Sequence, residues 1–132
     1  MSSGMTRPRQ AFEYAVLRAV PRVDRGEFVN VGVVLYCQAT DFLEARTHID
    51  AARLLALDDA VDLPALDAAL AAVIAVCAGE ASAGPVGEQP AGARFRWLTA
   101  PRSTVVQAGP VHAGITEDPA REVDRLFDLL VR

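Results

Sequence analysis

Arginine is the side chain through which this sequence could most readily bind a ligand. All 13 basic residues are Arg, and none is Lys. A guanidinium group recognises a carboxylate or a phosphate through two parallel hydrogen bonds, which an ammonium group cannot do. Because the arginines are scattered along the chain, the codon usage of a GC-rich genome explains the composition better than selection for anion binding. Each arginine therefore has to be judged by its neighbours.

A charged loop at residues 22–27 is the first candidate site. It places Asp24, Arg25 and Glu27 directly before a strongly apolar segment. Arg25 could hold a carboxylate or a phosphate, with Asp24 or Glu27 orienting its guanidinium group. An ordinary polar turn would have the same composition, and we prefer that interpretation.

The second candidate site is a mixed polar and aromatic face of a predicted sheet. Arg18, Asn30, Glu44 and Arg46 would share this face, because alternate residues of a strand point to the same side. Asn30 and nearby Gly32 are poor strand formers, which suits close approach of a ligand but equally suits a β-bulge. A solvated face with cross-strand ion pairs is the competing interpretation.

The third candidate site lies shortly before the last predicted helix. Arg102 and Ser103 could hold an anion near that helix, and His112 could act as an acid or base because it titrates near neutrality. However, Glu117 and Asp118 already place negative charge at the start of the helix. A lone surface residue is the simpler explanation of His112.

Composition and motifs argue against several function classes. The net charge of −4 makes broad, non-specific nucleic-acid binding unlikely to be the function. No nucleophile elbow, phosphate-binding loop or metal-ligand spacing occurs, so we predict no metal and no cofactor. Cys37 and Cys77 lie in apolar stretches and are expected to be buried thiols. No apolar run approaches the roughly 20 residues that cross a bilayer, and no secretory signal is visible, so we expect a cytoplasmic protein without a membrane role.

Three segments in the first half of the chain have the composition of strands. Residues 14–20, 28–37 and 42–49 are rich in Val, Leu and aromatic side chains and are separated by short polar connections. Short connections predict an antiparallel meander. In the second strand, the alternation places five apolar residues on one face, which should be covered by helices: Val29, Val31, Val33, Leu35 and Cys37.

Helix signals follow the meander. Asp50 can cap a helix at 51–57, Asp62 can cap a second that ends near Gly79, and Asp118 can cap the last one. Residues 80–92 have loop composition, 94–100 are ambiguous, and 103–108 indicate a strand. We therefore predict an α+β fold, with a three-stranded antiparallel meander extended by one or two later strands and helices packed on one face. Residues 1–10 should be a flexible segment, with Met1 or Met5 as the native start, and residues 11–132 a single domain.

Several stretches also carry a family resemblance. The most specific is the run Gly-Glu-Phe-Val-Asn-Val-Gly-Val-Val at 26–34, which lies within 25–35, and the others are 13–22, 42–46, 53–58, 101–107 and 112–114. Together they resemble an uncharacterised bacterial family, the domain of unknown function 3037. The resemblance implies no catalytic residues. It implies an accessory role, because members are often encoded beside HipA-like kinases.

Two hypotheses on function follow. The first is a binding or interaction module, with a HipA-like kinase as the suggested partner. The second is a small enzyme or ligand-binding protein for an anionic metabolite, nucleotide or nucleic-acid end, which requires several of the candidate side chains to converge in one cavity. Self-association is a further alternative, in which exposed Phe28, Tyr36 and Phe42 would favour a homodimer.

Overall fold

Three consecutive strands form the antiparallel meander that the sequence predicts. The computed structural model describes residues 7–102 and 104–132. Strand β1 is Gln10–Ala19, β2 is Val29–Cys37 and β3 is Phe42–Thr47. A single 3-10 turn connects β2 to β3, and it ends at Asp41 in a left-handed conformation with φ of 51°. The hairpin signal of the short connection is thus confirmed.

The second edge of β1 is shared by two short strands. Strand β4, Val106–Ala108, pairs with the last residues of β1, and β5, His112–Thr116, pairs with the first ones. The order is β3-β2-β1-β4, with β5 beside β1 as well. Strand β4 falls within the predicted segment 103–108. Strand β5 was not predicted, because a short run that contains Gly has little strand propensity of its own.

The described residues also form four α-helices: α1 Ala51–Leu57, α2 Leu63–Ala78, α3 Ala91–Thr99 and α4 Pro119–Leu130. The predicted caps are present, since Asp50, Asp62 and Asp118 each accept a hydrogen bond from the backbone N–H three residues ahead. The ambiguous segment 94–100 lies mostly in α3. The predicted loop at 80–92 contains a 3-10 segment, Ala81–Glu88.

A β-bulge in β2 changes which residues face which side. The pairing with β1 steps from Leu17↔Gly32 to Arg18↔Asn30, so Val31 has no partner on β1. Val31 packs against the helices of the main core, whereas Val33 lies on the opposite side of the sheet. The expectation that five alternate residues of β2 share one face is therefore wrong. The weak strand formers around Val31 mark the bulge instead.

Both faces of the sheet are covered by helices, and not one face as predicted. On the first face, residues of β1–β3 pack against α1, α2 and α3, with Leu54, Leu66 and Phe95 buried. On the second face, α4 covers Phe12 and the β2 residues that the bulge turns to that side. Removal of these apolar side chains from water is favourable, which explains why a helix covers the second face.

The N-terminal segment that was predicted to be flexible is described by the structure only from residue 7 onwards. Residues 1–6 of the predicted flexible segment lie outside the described part, Arg7 forms an ion pair of 3.0 Å with Asp118, and Gln10 already begins β1. Within the described residues, no single helix is both long and apolar enough to cross a bilayer; α2 and the following 3-10 segment meet that criterion only as a pair, bent by 51°.

Candidate anion-binding site

The charged loop at 22–27 is neutralised by its own side chains. Arg22 pairs with Asp24 and Arg25 with Glu27, both at 2.9 Å and both exposed. The hydrogen bond from Arg22 lowers the pKa of the Asp24 carboxyl group. Arg25 is oriented by Glu27 as the sequence suggested, but each positive charge already has a negative partner. The loop therefore has the character of a polar turn.

Two residues expected on an available sheet face, Asn30 and Arg46, instead attach α4 to the sheet. Arg46 contacts Glu44 and Asp124 at 2.9 Å each, so its guanidinium group joins β3 to α4. Asn30 donates a hydrogen bond of 3.0 Å to the backbone carbonyl of Leu130, at the end of α4. These side chains hold the last helix in place and do not form one ligand site.

His112 and the aromatic residues have separate surroundings. The His112 ring lies 5.2 Å from that of Tyr14, centre to centre, on the exposed start of β5. Of the three aromatic residues expected to favour a dimer, Phe28 is exposed, whereas Tyr36 and Phe42 are half-buried against the two cores.

Arg18 differs from the paired arginines because no carboxylate in the described part of the chain forms an ion pair with it. Its Nε atom is buried and has no hydrogen-bond partner among residues 7–102 and 104–132. The guanidinium carbon lies 4.3 Å above the centre of the Phe28 ring, a cation–π contact. A buried N–H without an acceptor costs about 1–3 kcal/mol. Such a group calls for an explanation, and a ligand that accepts the hydrogen bond is one.

Arg102 lies on the wall of the same cavity as Arg18. Its guanidinium carbon is 3.7 Å from the centre of the Trp97 ring, and its Nη2 donates to the Trp97 carbonyl. The cavity has a volume of about 420 Å³. Its described lining contains no carboxylate: Arg18, Thr99, Pro101, Arg102, Gln107, Ala108, Gly109, Pro110 and Val111. Ser103, predicted as a site residue beside Arg102, lies outside the described residues.

Two breaks in secondary structure produce this concavity. Pro101 follows the end of α3, and Gly109-Pro110 separates β4 from β5. The N–H of Gly109 still donates to the carbonyl of Val16 at 2.8 Å, so the chain stays close to β1. A Cβ atom on Gly109 would lie 3.0 Å from the Arg18 guanidinium carbon. The absence of a side chain at Gly109 therefore leaves room for the guanidinium group of Arg18.

The site combines residues that the sequence assigns to different clusters. Arg18 was predicted on the sheet face with Asn30 and Arg46, and Arg102 was predicted beside His112. The structure brings Arg18 and Arg102 to one cavity and leaves the other described candidates elsewhere. Phe28 and Trp97, which hold the guanidinium groups, and Gly109 were not predicted as site residues. The Gly109-Pro110 pair was visible as a strand boundary, but its position beside Arg18 depends on long-range pairing.

The arrangement suits binding better than catalysis. Guanidinium groups bind anions but do not exchange protons near neutral pH, and the Thr99 hydroxyl already donates to the Phe95 carbonyl at 2.9 Å. Within the described parts of the chain, no three His, Cys, Asp or Glu side chains gather as metal ligands would.

Comparison with known proteins adds a family and no function. No curated protein and no solved structure shows significant similarity to the chain. The family model described as "Protein of unknown function (DUF3037)" matches residues 14–131, and the chain belongs to this family.

Proposed function

We propose that this protein binds a ligand through an anionic group, a carboxylate or a phosphate, in the cavity lined by Arg18 and Arg102. The observation that carries the proposal is the buried Nε of Arg18, which has no acceptor among the described residues. An anion in the cavity would form a charge-assisted pair with the guanidinium group of Arg18, and a small rotation of that group would turn the buried Nε–H towards the anion as its acceptor. The proposal corresponds to the ligand-binding alternative of the sequence analysis, without its catalytic part.

Preorganisation favours such binding. The Phe28 ring holds the guanidinium group of Arg18, for which Gly109 leaves room, and the Trp97 ring holds that of Arg102. A side chain that is already ordered loses little conformational freedom when a ligand arrives. The lack of a carboxylate in the described lining also means that an anion does not have to displace an internal partner.

Thermal unfolding tests the proposal. The melting temperature is measured in sodium acetate and in sodium phosphate, each against sodium chloride of equal ionic strength. An anion that binds only the folded protein stabilises it by RT ln(1 + L/Kd), where L is the free anion concentration, and so raises the melting temperature. We expect a rise that is specific to acetate or phosphate and is lost in Arg18→Gln and in Arg102→Gln.

Arg53→Gln is the matched control, because Arg53 lies on the exposed surface of α1 and outside the cavity. The Arg53→Gln variant should show the same rise in melting temperature as the unmodified protein. A rise that Arg53→Gln loses as completely as Arg18→Gln, or the absence of any rise in the unmodified protein, would refute the proposal.

A protein partner is the second candidate function. Strand β5 lies at the edge of the sheet, and Ile115 on this strand is 68% exposed. An edge strand with an exposed apolar side chain is suited to contact another protein. Together with the family resemblance, this favours an accessory role beside a HipA-like kinase. Sedimentation of the mixed proteins at micromolar concentrations tests it: Ile115→Arg should weaken the complex, whereas Leu129→Arg, at an equally exposed position of α4, should not.

A further inference from the structure

We propose that the ligand is an organic acid with an apolar body, whose carboxylate or phosphate binds between Arg18 and Arg102 and whose body lies in a second cavity between α2, α3 and β4. This inference rests on the proposed function, since it assigns a chemical class to the ligand of the same site.

The second cavity is small and mainly apolar. It has a volume of about 240 Å³, and its lining includes Ala69 and Val73 of α2, Trp97 and Leu98 of α3, and Val106 of β4. Trp97 is 45% exposed. An apolar group placed here would remove these side chains from water, and this removal is the favourable term in apolar binding.

The two cavities share part of their walls. Arg102, Gln107 and Ala108 line both of them. The guanidinium group of Arg102 lies over the Trp97 indole, so charge and aromatic surface meet at this shared wall. A ligand that used both cavities would have its anionic group beside a short hydrocarbon or aromatic portion. A bare inorganic anion would leave the apolar cavity unused.

A homologous series of acids tests the inference. Acetate, butanoate and hexanoate are titrated at constant ionic strength, and binding is followed by the fluorescence of Trp97, the single Trp of the chain. Burial of each additional methylene group corresponds to about fourfold tighter binding. We expect the dissociation constant to fall by about this factor per methylene group until the second cavity is filled.

Substitutions separate the two parts of the site. Ala69→Leu fills the second cavity and should abolish the gain with chain length while acetate still binds. Ala68→Leu makes the same change at an exposed position of α2 that does not line the cavity, and it should behave as the unmodified protein. Ala72→Leu repeats the test at another lining residue, in case Ala69→Leu does not fold.

The outcomes distinguish the inference from the function on which it rests. If acetate binds but hexanoate binds no more tightly, the inference is wrong and the anion site remains. If neither acid binds, both fail. An acetylated peptide that ends in a free leucine carboxylate, compared with its C-terminal amide, identifies the source of the ligand class. Binding of the free-acid peptide points to a protein C-terminus, whereas binding of hexanoate without the peptide points to a metabolite, and each result supports the class.

Discussion

The guanidinium group of Arg18 lies over the Phe28 ring, with 4.3 Å between its central carbon and the ring centre, and no carboxylate of the described chain pairs with it. Other arginines of this protein are neutralised, as Arg46 is by Glu44 and Asp124. The Phe28 ring therefore holds the guanidinium group of Arg18 in place. A carboxylate partner would also have held it, but would have occupied its hydrogen-bond donors. This difference is the physical basis of the proposed site.

Gly109→Ala should weaken anion binding about tenfold. The new methyl group would lie 3.0 Å from the Arg18 guanidinium carbon, closer than van der Waals contact allows, so the guanidinium group would shift. Titration with acetate measures the effect. If the change acts through Arg18, the double variant Arg18→Gln/Gly109→Ala should bind no more weakly than Arg18→Gln alone. Additive losses would show that Gly109 acts independently.

Gly32→Ala should destabilise the fold without any direct effect on the anion site. A Cβ atom at this position would lie 2.8 Å from the backbone carbonyl oxygen of Arg46, and a backbone atom cannot move aside as a flexible side chain can. Overpacking of this kind costs about 1–3 kcal/mol. Urea denaturation measures the free energy of unfolding, and a change below about 0.5 kcal/mol, the range of neutral surface substitutions, would contradict the described packing of β2 against β3.

Asn30→Ala should loosen the C-terminal end of α4. The substitution removes the hydrogen bond of 3.0 Å to the Leu130 carbonyl, which is expected to cost about 1 kcal/mol. Hydrogen exchange locates the effect: the amides of the last turn of α4 should exchange faster, while those of α2 keep their protection. Uniformly faster exchange in both helices would mean that Asn30 supports the whole fold and not this contact.

The stability of the protein should fall at high pH because of Cys77. Burial raises the pKa of its thiol from 9.0 to about 12. A group whose pKa is higher in the folded state contributes fully below its unfolded pKa, and the contribution is lost as the pH rises from about 9 towards 12. Cys77→Ala should therefore show a smaller decrease of unfolding free energy between pH 8.5 and pH 10.5 than the unmodified protein. Equal slopes would indicate that the thiol is not buried as described.

Local signals predict the elements of this fold well. Asp50, Asp62 and Asp118 start three helices because a carboxylate accepts the first free backbone N–H groups, and this depends only on neighbouring residues. The side of the sheet to which each strand residue points is harder to predict. One unpaired residue, Val31, reverses the alternation in β2, and the period-two pattern of the valines contains no sign of its position.

The candidate site depends on contacts that are distant in sequence. Arg18 lies on β1 and Arg102 follows α3, so only the pairing of β4 with β1 brings them to one cavity. The apolar neighbours Phe28 and Trp97 are recognisable as ligand-site residues only after the guanidinium groups are placed over them. The residue types alone indicated anion binding by arginine, but they could not identify Arg18 and Arg102 among the 13 arginines of the chain.

The N–H signal of Arg18 Nε in a nuclear magnetic resonance titration tests the anion site most directly. Because this atom is buried, its proton should exchange slowly with water and give a resolved signal at neutral pH. We expect acetate or phosphate to shift this signal in a saturable manner, and we expect the shift to be lost in Arg102→Gln and retained in Arg53→Gln. An Arg18 signal that stays unchanged up to saturating anion concentrations, in protein shown to be folded, would contradict the account.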